Sequence, residues 1–278
     1  MTVDGVLRID DRDFDRLVNY IKDAYGINLE GKRALVEGRL GSMLTERGFN
    51  GYTEYLDRCF MDLRGSEMQQ MVNSLTTNHT FFMREPEHFT FLNDTVLPHM
   101  VRKNSAKRSM RIWSAGCSSG EEAYTAAMFI SEYLGREKHY WDTRILATDI
   151  SVKILAAAQN GVYPRKSAQQ LPDGWVDRYF TDVDGERIKI SKEIRDGVIF
   201  KMFNLMDEIP FKKEPFDLIF CRNVMIYFEK ETRAKLLERF YDVLRPGGYL
   251  FIGHSEGIPR EMKKFEYIAP AVYRKPLD

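Results

Sequence analysis

The sequence predicts an α/β protein: an all-helical N-terminal domain over residues 1–90, then a mostly parallel sheet with helices on both faces over 91–278. A small antiparallel β subdomain is expected inside the second domain, at about residues 164–200. Three observations carry this reading. Apolar residues recur at helical spacing through the first hundred positions. From Met110 strand-like and helix-like segments alternate. An Asp184-Gly185 turn set between alternating residues then interrupts that alternation.

In the first domain "DDRDFDRLVNYIKDAYG" puts Phe14, Leu17, Val18 and Ile21 on one helical face, with Gly26 as its stop. "GKRALVEGRLGSMLTERGF", "YTEYLDRCFMDL" and "SEMQQMVNSLT" read as three more helices, the last with Ser66 as N-cap. Pro86 opens a further helix, "PEHFTFLNDTVLPHMVRK", at the position where proline costs least. The polar "KNSAKRS" reads as a joint between domains.

In the second domain strand "RIWSA" leads through a glycine turn to helix "EEAYTAAMFISEYL". "TRILATD" leads to "SVKILAAAQNG", and "PFDLIFCRN" to "EKETRAKLLERFYDVL", which "RPGG" closes before strand "YLFIG". "YIAPAVYRK" reads as one last strand, and "YFTDVDGERIKISKEIRDGVIFKMF" as the antiparallel insertion.

The composition, 44% hydrophobic and 29% charged, suits a soluble chain with a sizeable core. Lys plus Arg and Asp plus Glu both count 41, a balance that argues against nucleic acid as partner. Cys59, Cys117 and Cys221 form no C-x-x-C pair and point to buried thiols, with no metal site. The charged N-terminus lacks a signal peptide's apolar segment, and no apolar run approaches the roughly 18 residues of a membrane span. A cytoplasmic protein with no direct membrane insertion is expected.

In open α/β sheets ligands sit beyond the carboxyl ends of the strands, so "SAGCSSGEE", "ATDIS", "FNLMDE" and "FCRNVMIYF" should converge. Gly116 and Gly120 stand in G-x-x-x-G spacing rather than the G-x-G-x-x-G that holds a pyrophosphate. Glu121 and Glu122, at the helix start, would repel a phosphate. Asp149, ending an apolar strand, suits the two hydroxyls of a ribose; its alternative is to cap the helix beginning near Ser151. A nucleoside ligand with positive charge and no phosphate fits this set, and S-adenosylmethionine is one.

"IWSAGCSSGEEAY", "LTTNHTFFMRE", "FCRNVMIYF" and "LRPGGYLFIGHSE", with the helical N-terminus, resemble the chemotaxis receptor glutamate O-methyltransferases (CheR) from roughly Asp13 to Tyr273. The resemblance implies a class I (Rossmann-like) methyltransferase domain with S-adenosyl-L-methionine as cofactor and S-adenosyl-L-homocysteine as product. It also implies methyl esterification of glutamate side chains on the cytoplasmic helical domain of chemoreceptors, in sensory adaptation. By the same resemblance the cofactor contacts fall on Asn78, Thr80, Arg84, Glu122, Asp149, Asn204, Leu205, Arg222 and Asn223. Arg84 and Tyr227 match the positions nearest the methyl transfer, and Met83 departs from the Phe common in the family. The chain is expected to act as a monomer.

A free glutamate side chain, with a pKa of about 4.3, is already ionised near neutral pH, so no general base is required. Alignment of carboxylate, methyl and sulfur is the main task, and no His-centred triad is expected. Arg84 can grip a carboxylate through two parallel hydrogen bonds, either the incoming glutamate's or the cofactor's own. Tyr227 either donates its hydroxyl to the substrate or packs as a strand-end aromatic, and Trp113 and Phe203 are expected in the core.

Lys32, Arg33, Arg39 and Arg47 offer a basic docking face for an acidic receptor helix or, mingled with Val36, Leu40 and Met43, merely flank a packed helix. The inserted hairpin is, by resemblance, a second interaction surface. "GHSEG", Gly253 to Gly257, matches a hydrolase nucleophile elbow, but no histidine follows His254 to complete a triad. Two other rivals are a non-enzymatic cofactor-binding module and a methyltransferase of RNA or a small acid. Arg84 and Tyr227 weigh against the first, and zero net charge against an RNA substrate.

Overall fold

The computed structural model describes every residue except 1, 4, 5, 64, 211–213, 260, 261, 263 and 278. Two short strands, β1 (Thr2–Val3) and β2 (Val6–Leu7), pair antiparallel at the start. Helix α1 (Asp11–Tyr25) begins where the Asp10 carboxylate accepts the Asp13 amide at 2.7 Å and ends at Gly26, as the apolar spacing requires. Helices α2 (Arg33–Glu46), α3 (Tyr52–Met61) and α4 (Ser66–Leu75) close a core with α1 in which Leu17, Leu40, Tyr55 and Met71 are fully buried. Ser66 does not cap α4. Gly65 holds that place, its carbonyl taking the Gln69 amide, so Ser66 is already inside the first turn.

The helix expected from Pro86 is broken into α5 (Pro86–Phe91) and α6 (Leu97–Lys103) by a wider π turn at Leu92–Val96. Pro98 accounts for the break. It has no N–H for the carbonyl four residues back and its ring needs room there, so the Leu97 amide reaches Leu92 instead. Phe89, Leu92, Val96, Leu97 and Met100 pack into the same core as the sheet. The "KNSAKRS" stretch is therefore a turn leading from α6 into the sheet, not a joint between cores.

The chain then alternates. In order come β3 (Ile112–Ala115), α7 (Glu121–Leu134), β4 (Ile145–Asp149), α8 (Val152–Asn160), β5 (Val162–Pro164) and α9 (Trp175–Tyr179). Next are β6 (Phe180–Asp182), β7 (Arg187–Ile190), α10 (Lys192–Asp196) and β8 (Val198–Met202). The chain finishes with β9 (Phe216–Cys221), α11 (Lys230–Val243), β10 (Leu244–Ile252), β11 (Glu266–Ala269) and β12 (Val272–Arg274).

Seven strands form one mixed sheet in the order β11-β12-β10-β9-β3-β4-β8. The strands from β10 to β8 run parallel; β12 pairs antiparallel with β10, and β11 antiparallel with β12. Every residue of β3 and β9 is buried, as expected for strands covered on both faces. A separate antiparallel sheet, β5-β7-β6, carries the predicted Asp184-Gly185 turn between β6 and β7.

Three details differ from the sequence reading. Val198–Met202, expected in the insertion, pairs parallel with β4 at the edge of the main sheet, since α10 followed by β8 simply resumes the alternation. The last strand is a hairpin, because Pro270 offers no ladder donor and Ala271 turns at φ 58°. Strand β10 already starts at Leu244, and a register shift between Leu244 and Tyr249 absorbs "RPGG".

The first strand of the alternation, β3, lies between β4 and β9, so the winding direction reverses there. The carboxyl ends of β3 and β9 border the crevice where open α/β sheets bind ligands. The helical domain is fastened over it. Ile27 bridges to Phe228, the Asn28 amide donates to the Tyr227 carbonyl at 2.8 Å, and Asn204 Nδ2 donates to the Ala24 carbonyl at 2.7 Å.

Candidate active site

The crevice deepens into a cavity whose floor is the loop after β3. Gly116 adopts φ +86°, and a Cβ there would stand 2.4 Å from Val224 Cγ2; Gly120 adopts φ +93°. Bare backbone is what lets this loop pass under the cavity and enter α7. Asp149 braces it from β4: Oδ2 accepts the Ser118 amide at 2.8 Å and Oδ1 the Ser151 amide at 3.0 Å. The cap of α8 is Ser151, whose hydroxyl accepts the Ile154 amide, so the capping alternative for Asp149 is set aside. Burial pushes the Asp149 pKa up, against the pull of the backbone amides.

The two acids opening α7 part company. Glu122 lines the cavity and is buried between Ser114 Oγ, donating at 2.6 Å, and Arg222 Nη1, at 3.0 Å. Burial raises its pKa in spite of those partners. Glu121 instead accepts from Ser119 Oγ at 2.7 Å and is not part of the lining.

A second wall joins the loop after β9 to the strap of residues 78–85. Arg222 directs Nε and Nη2 to Glu85 Oε2 at 3.2 and 3.1 Å, and Nη2 also to the Arg84 carbonyl. The other Glu85 oxygen accepts from Asn223 Nδ2 at 3.2 Å and the His254 amide at 3.3 Å. Burial works to raise the Glu85 pKa, but Arg222, Asn223 and the His254 amide outweigh it and the net shift is downward. Glu256 accepts the amides of Asn223, Ile226 and Gly253 at 3.0, 3.0 and 2.6 Å, and burial raises its pKa.

Met83, Glu85, Ser118 and Asn223 all lie in the left-handed region, at φ 62°, 56°, 50° and 58°. Such residues cost of order 1 kcal/mol or more each and persist where their surroundings over-determine them. Glu85 and Glu256 were not singled out from the sequence. Their signal was adjacency alone: Glu85 follows Arg84, and Glu256 lies in "GHSEG". That motif forms no elbow, for Ser255 sits in a turn and the described residues after Gly257 continue without a helix.

Arg84 and Tyr227 line the same cavity. Arg84 Nη1 donates to the His79 carbonyl at 2.7 Å, and the Tyr227 hydroxyl has no hydrogen-bond partner among the described residues. Asn78, Thr80, Asn204, Leu205, Arg222 and Asn223 complete the set drawn from the sequence, and the cavity brings all of them together. The Asn78 carbonyl accepts Ser118 Oγ at 3.0 Å, tying strap to floor. Phe203, expected in the core, also faces the cavity; Trp113 is fully buried, its indole N–H on Thr148 Oγ1 at 2.9 Å.

The roof was missed: Tyr25, Ile27, Leu29, Lys32, Leu35 and Arg39 of the helical domain line the cavity too. In the sequence Lys32 and Arg39 read only as part of a docking face, and the apolar members read as core because a helix packed over a ligand and one packed over a sheet share a pattern. The arginines of the expected docking face all make bonds within the chain. Arg33 is held by Asp11 and the Ile9 carbonyl, Arg39 by the Leu75 and Thr76 carbonyls, and Arg47 by both oxygens of Glu67. Lys32 is left, its ammonium 5.9 Å over the Tyr227 ring.

These residues fit S-adenosylmethionine. A loop bared by Gly116, a buried acid at the end of β4 and two carboxylates gathered on Arg222 suit an adenosyl group with a cationic tail. Fold and site define an S-adenosylmethionine-dependent methyltransferase. The sequence profile of the CheR methyltransferase SAM binding domain matches residues 78–273, and that of the CheR methyltransferase all-alpha domain matches residues 12–76.

The chemotaxis protein methyltransferase of Borreliella burgdorferi is 43% identical over 267 residues, covering 95% of this chain and 94% of the relative. A probable chemotaxis protein methyltransferase of Rhizobium etli is 36% identical over 249 residues, covering 88% and 92%. The Escherichia coli chemotaxis protein methyltransferase is 35% identical over 271 residues, covering 96% and 92%. The chain belongs to the CheR methyltransferase family.

Proposed function

We propose that the chain methyl-esterifies glutamate side chains on the cytoplasmic helical domain of chemoreceptors, in the cytoplasm and as a monomer, with Arg84 and Tyr227 at the reacting end of the cavity. The observation that carries this is the state of those two side chains. One N–H group of Arg84 is engaged by the His79 carbonyl, the Tyr227 hydroxyl is unpartnered among the described residues, and both line the same cavity. A carboxylate needs such donors for orientation and needs nothing to deprotonate it. The names of the relatives, chemotaxis protein methyltransferases, support a receptor as the protein acted on.

When bound, S-adenosylmethionine supplies a methyl group on an already activated sulfonium. The chain's own residues then position and enclose. Asp149 and the Gly116–Gly120 floor are assigned to the adenosyl end, with Asn204 and Leu205 beside them; Asn78, Thr80, Glu122, Arg222 and Asn223 are assigned to the rest of the cofactor. The helical domain roofs the cavity, which limits the access of water. The domain is also assigned to meeting the receptor helix.

The test is labelled-methyl transfer to cytoplasmic receptor fragments, with release by mild alkali as the mark of an ester. Arg84→Ala should lower turnover by about a hundredfold or more, the range for loss of one aimed donor, with unchanged far-UV circular dichroism. Labelling of RNA or a small acid with no receptor fragment labelled would refute the proposal.

A further inference from the structure

Arg222, Glu85 and Glu122 form a buried cluster of one guanidinium and two carboxylates, with ion-pair distances of 3.1 Å to Glu85 and 3.0 Å to Glu122. The Arg222 side chain is 2% exposed, and the two acids 15% and 13%. Glu122 alone would neutralise Arg222. Glu85 therefore adds a negative charge that the cluster does not balance, in surroundings where an unbalanced charge is costly.

The neighbours do not supply the missing cation. His88 Nδ1 lies 3.4 Å from Glu85, but burial holds the imidazole pKa down at about 3, so the ring is neutral at pH 7. The Arg84 guanidinium donates to the His79 carbonyl and contributes only its main-chain carbonyl to the cluster. Glu122 and Arg222 line the cavity, and Glu85 stands behind them. The cavity lining also carries Lys32, Arg39 and Arg84, so the charge of Glu85 sets how far Arg222 adds to those cations in the field that an occupant of the cavity meets.

S-adenosylmethionine carries an ammonium, a sulfonium and a carboxylate, for a net charge of plus one. Loss of the methyl group leaves a neutral thioether and a net charge of zero. We infer that Glu85 is a cofactor-selectivity residue acting through Arg222: by over-neutralising the guanidinium it makes the cavity wall favour the charged methyl donor relative to the demethylated product. The inference rests on the S-adenosylmethionine assignment. It differs from a purely mechanical role, in which Glu85 would only tie the strap bearing Arg84 to the loop after β9.

Calorimetric affinities of the full chain for S-adenosylmethionine and S-adenosylhomocysteine separate the two. Glu85→Gln keeps shape and some hydrogen bonds but removes the charge. It should weaken S-adenosylmethionine about five- to twentyfold more than S-adenosylhomocysteine, the scale of one unit charge acting at around 10 Å in a protein-like dielectric. Glu85→Asp, which shortens the tether and keeps the charge, should weaken both ligands while holding their ratio within about twofold of the wild type.

Equal weakening of both ligands by Glu85→Gln, or no change in either, overturns the inference. Should that variant fail to fold, a shifted ratio in Glu85→Asp would overturn it as well. A wild-type chain that bound neither ligand would defeat the cofactor assignment itself, a different outcome from either of these.

Discussion

The two strand-end loops that meet at the crevice solve one conformational problem in opposite ways. The loop after β3 places most of its positive φ on Gly116 and Gly120, where a side chain would collide with Val224 or crowd Phe200, and leaves only Ser118 between them to be held by Asp149. The loop after β9 and the strap beside it place positive φ on Asn223, Met83 and Glu85, which carry side chains. The first conformation is cheap because nothing is there to clash. The second is held by half-buried carboxylates, Glu256 on three amides and Glu85 on Arg222, Asn223 and the His254 amide. Close approach of backbone to a ligand can thus come from an absent Cβ or from acceptors that over-determine a strained chain.

Glu256→Ala should break the second loop and is the largest effect expected. Three amides lose their acceptor, those of Asn223 and Gly253 part-buried and that of Ile226 exposed, and orphaned donors away from water cost about 1–3 kcal/mol each before relaxation. A net loss of about 3 kcal/mol is expected, or roughly 6–12 °C in the melting temperature for a chain of this size. Wild-type melting of the variant would show that the loop holds itself and that the contrast is wrong. Gly116→Ala probes the other loop: the left-handed conformation costs a non-glycine about 1–2 kcal/mol, and the new Cβ meets Val224 at 2.4 Å. S-adenosylhomocysteine affinity should fall about tenfold or more, measured by calorimetry, with a loss of about 2 kcal/mol in urea unfolding.

The same contrast decides how much was legible in the sequence. Glycine spacing, apolar alternation and the Asp184-Gly185 turn are local patterns with local causes, and they located α7, β3, β4, β9 and the β6–β7 turn. The anchors of the other wall are not local. Glu85 lies 137 positions from Arg222, and Glu256 lies 33 from Asn223. No period or motif marks an acid that will accept hydrogen bonds from a loop elsewhere in the chain. The roof was hidden for a related reason, since Leu29 and Leu35 look alike whether they cover a ligand or a sheet. The π turn before Pro98 was readable in principle, because a proline within a helical pattern must displace the bond it cannot make.

Acid sharpens the comparison, because a titrating imidazole is packed against the carboxylate-held wall. His88 is buried against Phe251 and beside Glu85, and burial lowers its pKa from 6.5 to about 3. The unfolded chain therefore binds a proton between those values that the folded chain refuses. Stability from this group is fully present above pH 6.5 and is lost as the pH falls toward 3. At pH 5 the loss should reach about 2 kcal/mol, and His88→Phe should flatten the difference in unfolding free energy between pH 7 and pH 5. Glu85 acts in the same direction lower down: its pKa lies below 4.5, so its contribution is present above that pH and fades beneath it. An unchanged slope in His88→Phe would mean that the imidazole is solvated in the folded chain.

The smallest effect is expected from a pair of the same chemistry in the helical domain. Arg47 donates both Nη groups to Glu67 at 2.6 Å, a better fork than Arg222 makes on Glu85, and it holds the Glu67 pKa low. Both side chains are partly open to water, at 30% and 25% exposure against 2% and 15% for the buried pair. Solvent screens the exposed pair, so Arg47→Ala should cost no more than about 0.5–1 kcal/mol, with part of that lost in 1 M salt. Urea unfolding at two salt concentrations measures it. A cost above about 2 kcal/mol that salt leaves untouched would mean that hydrogen-bond geometry, rather than burial, sets what an Arg–Glu pair contributes in this chain.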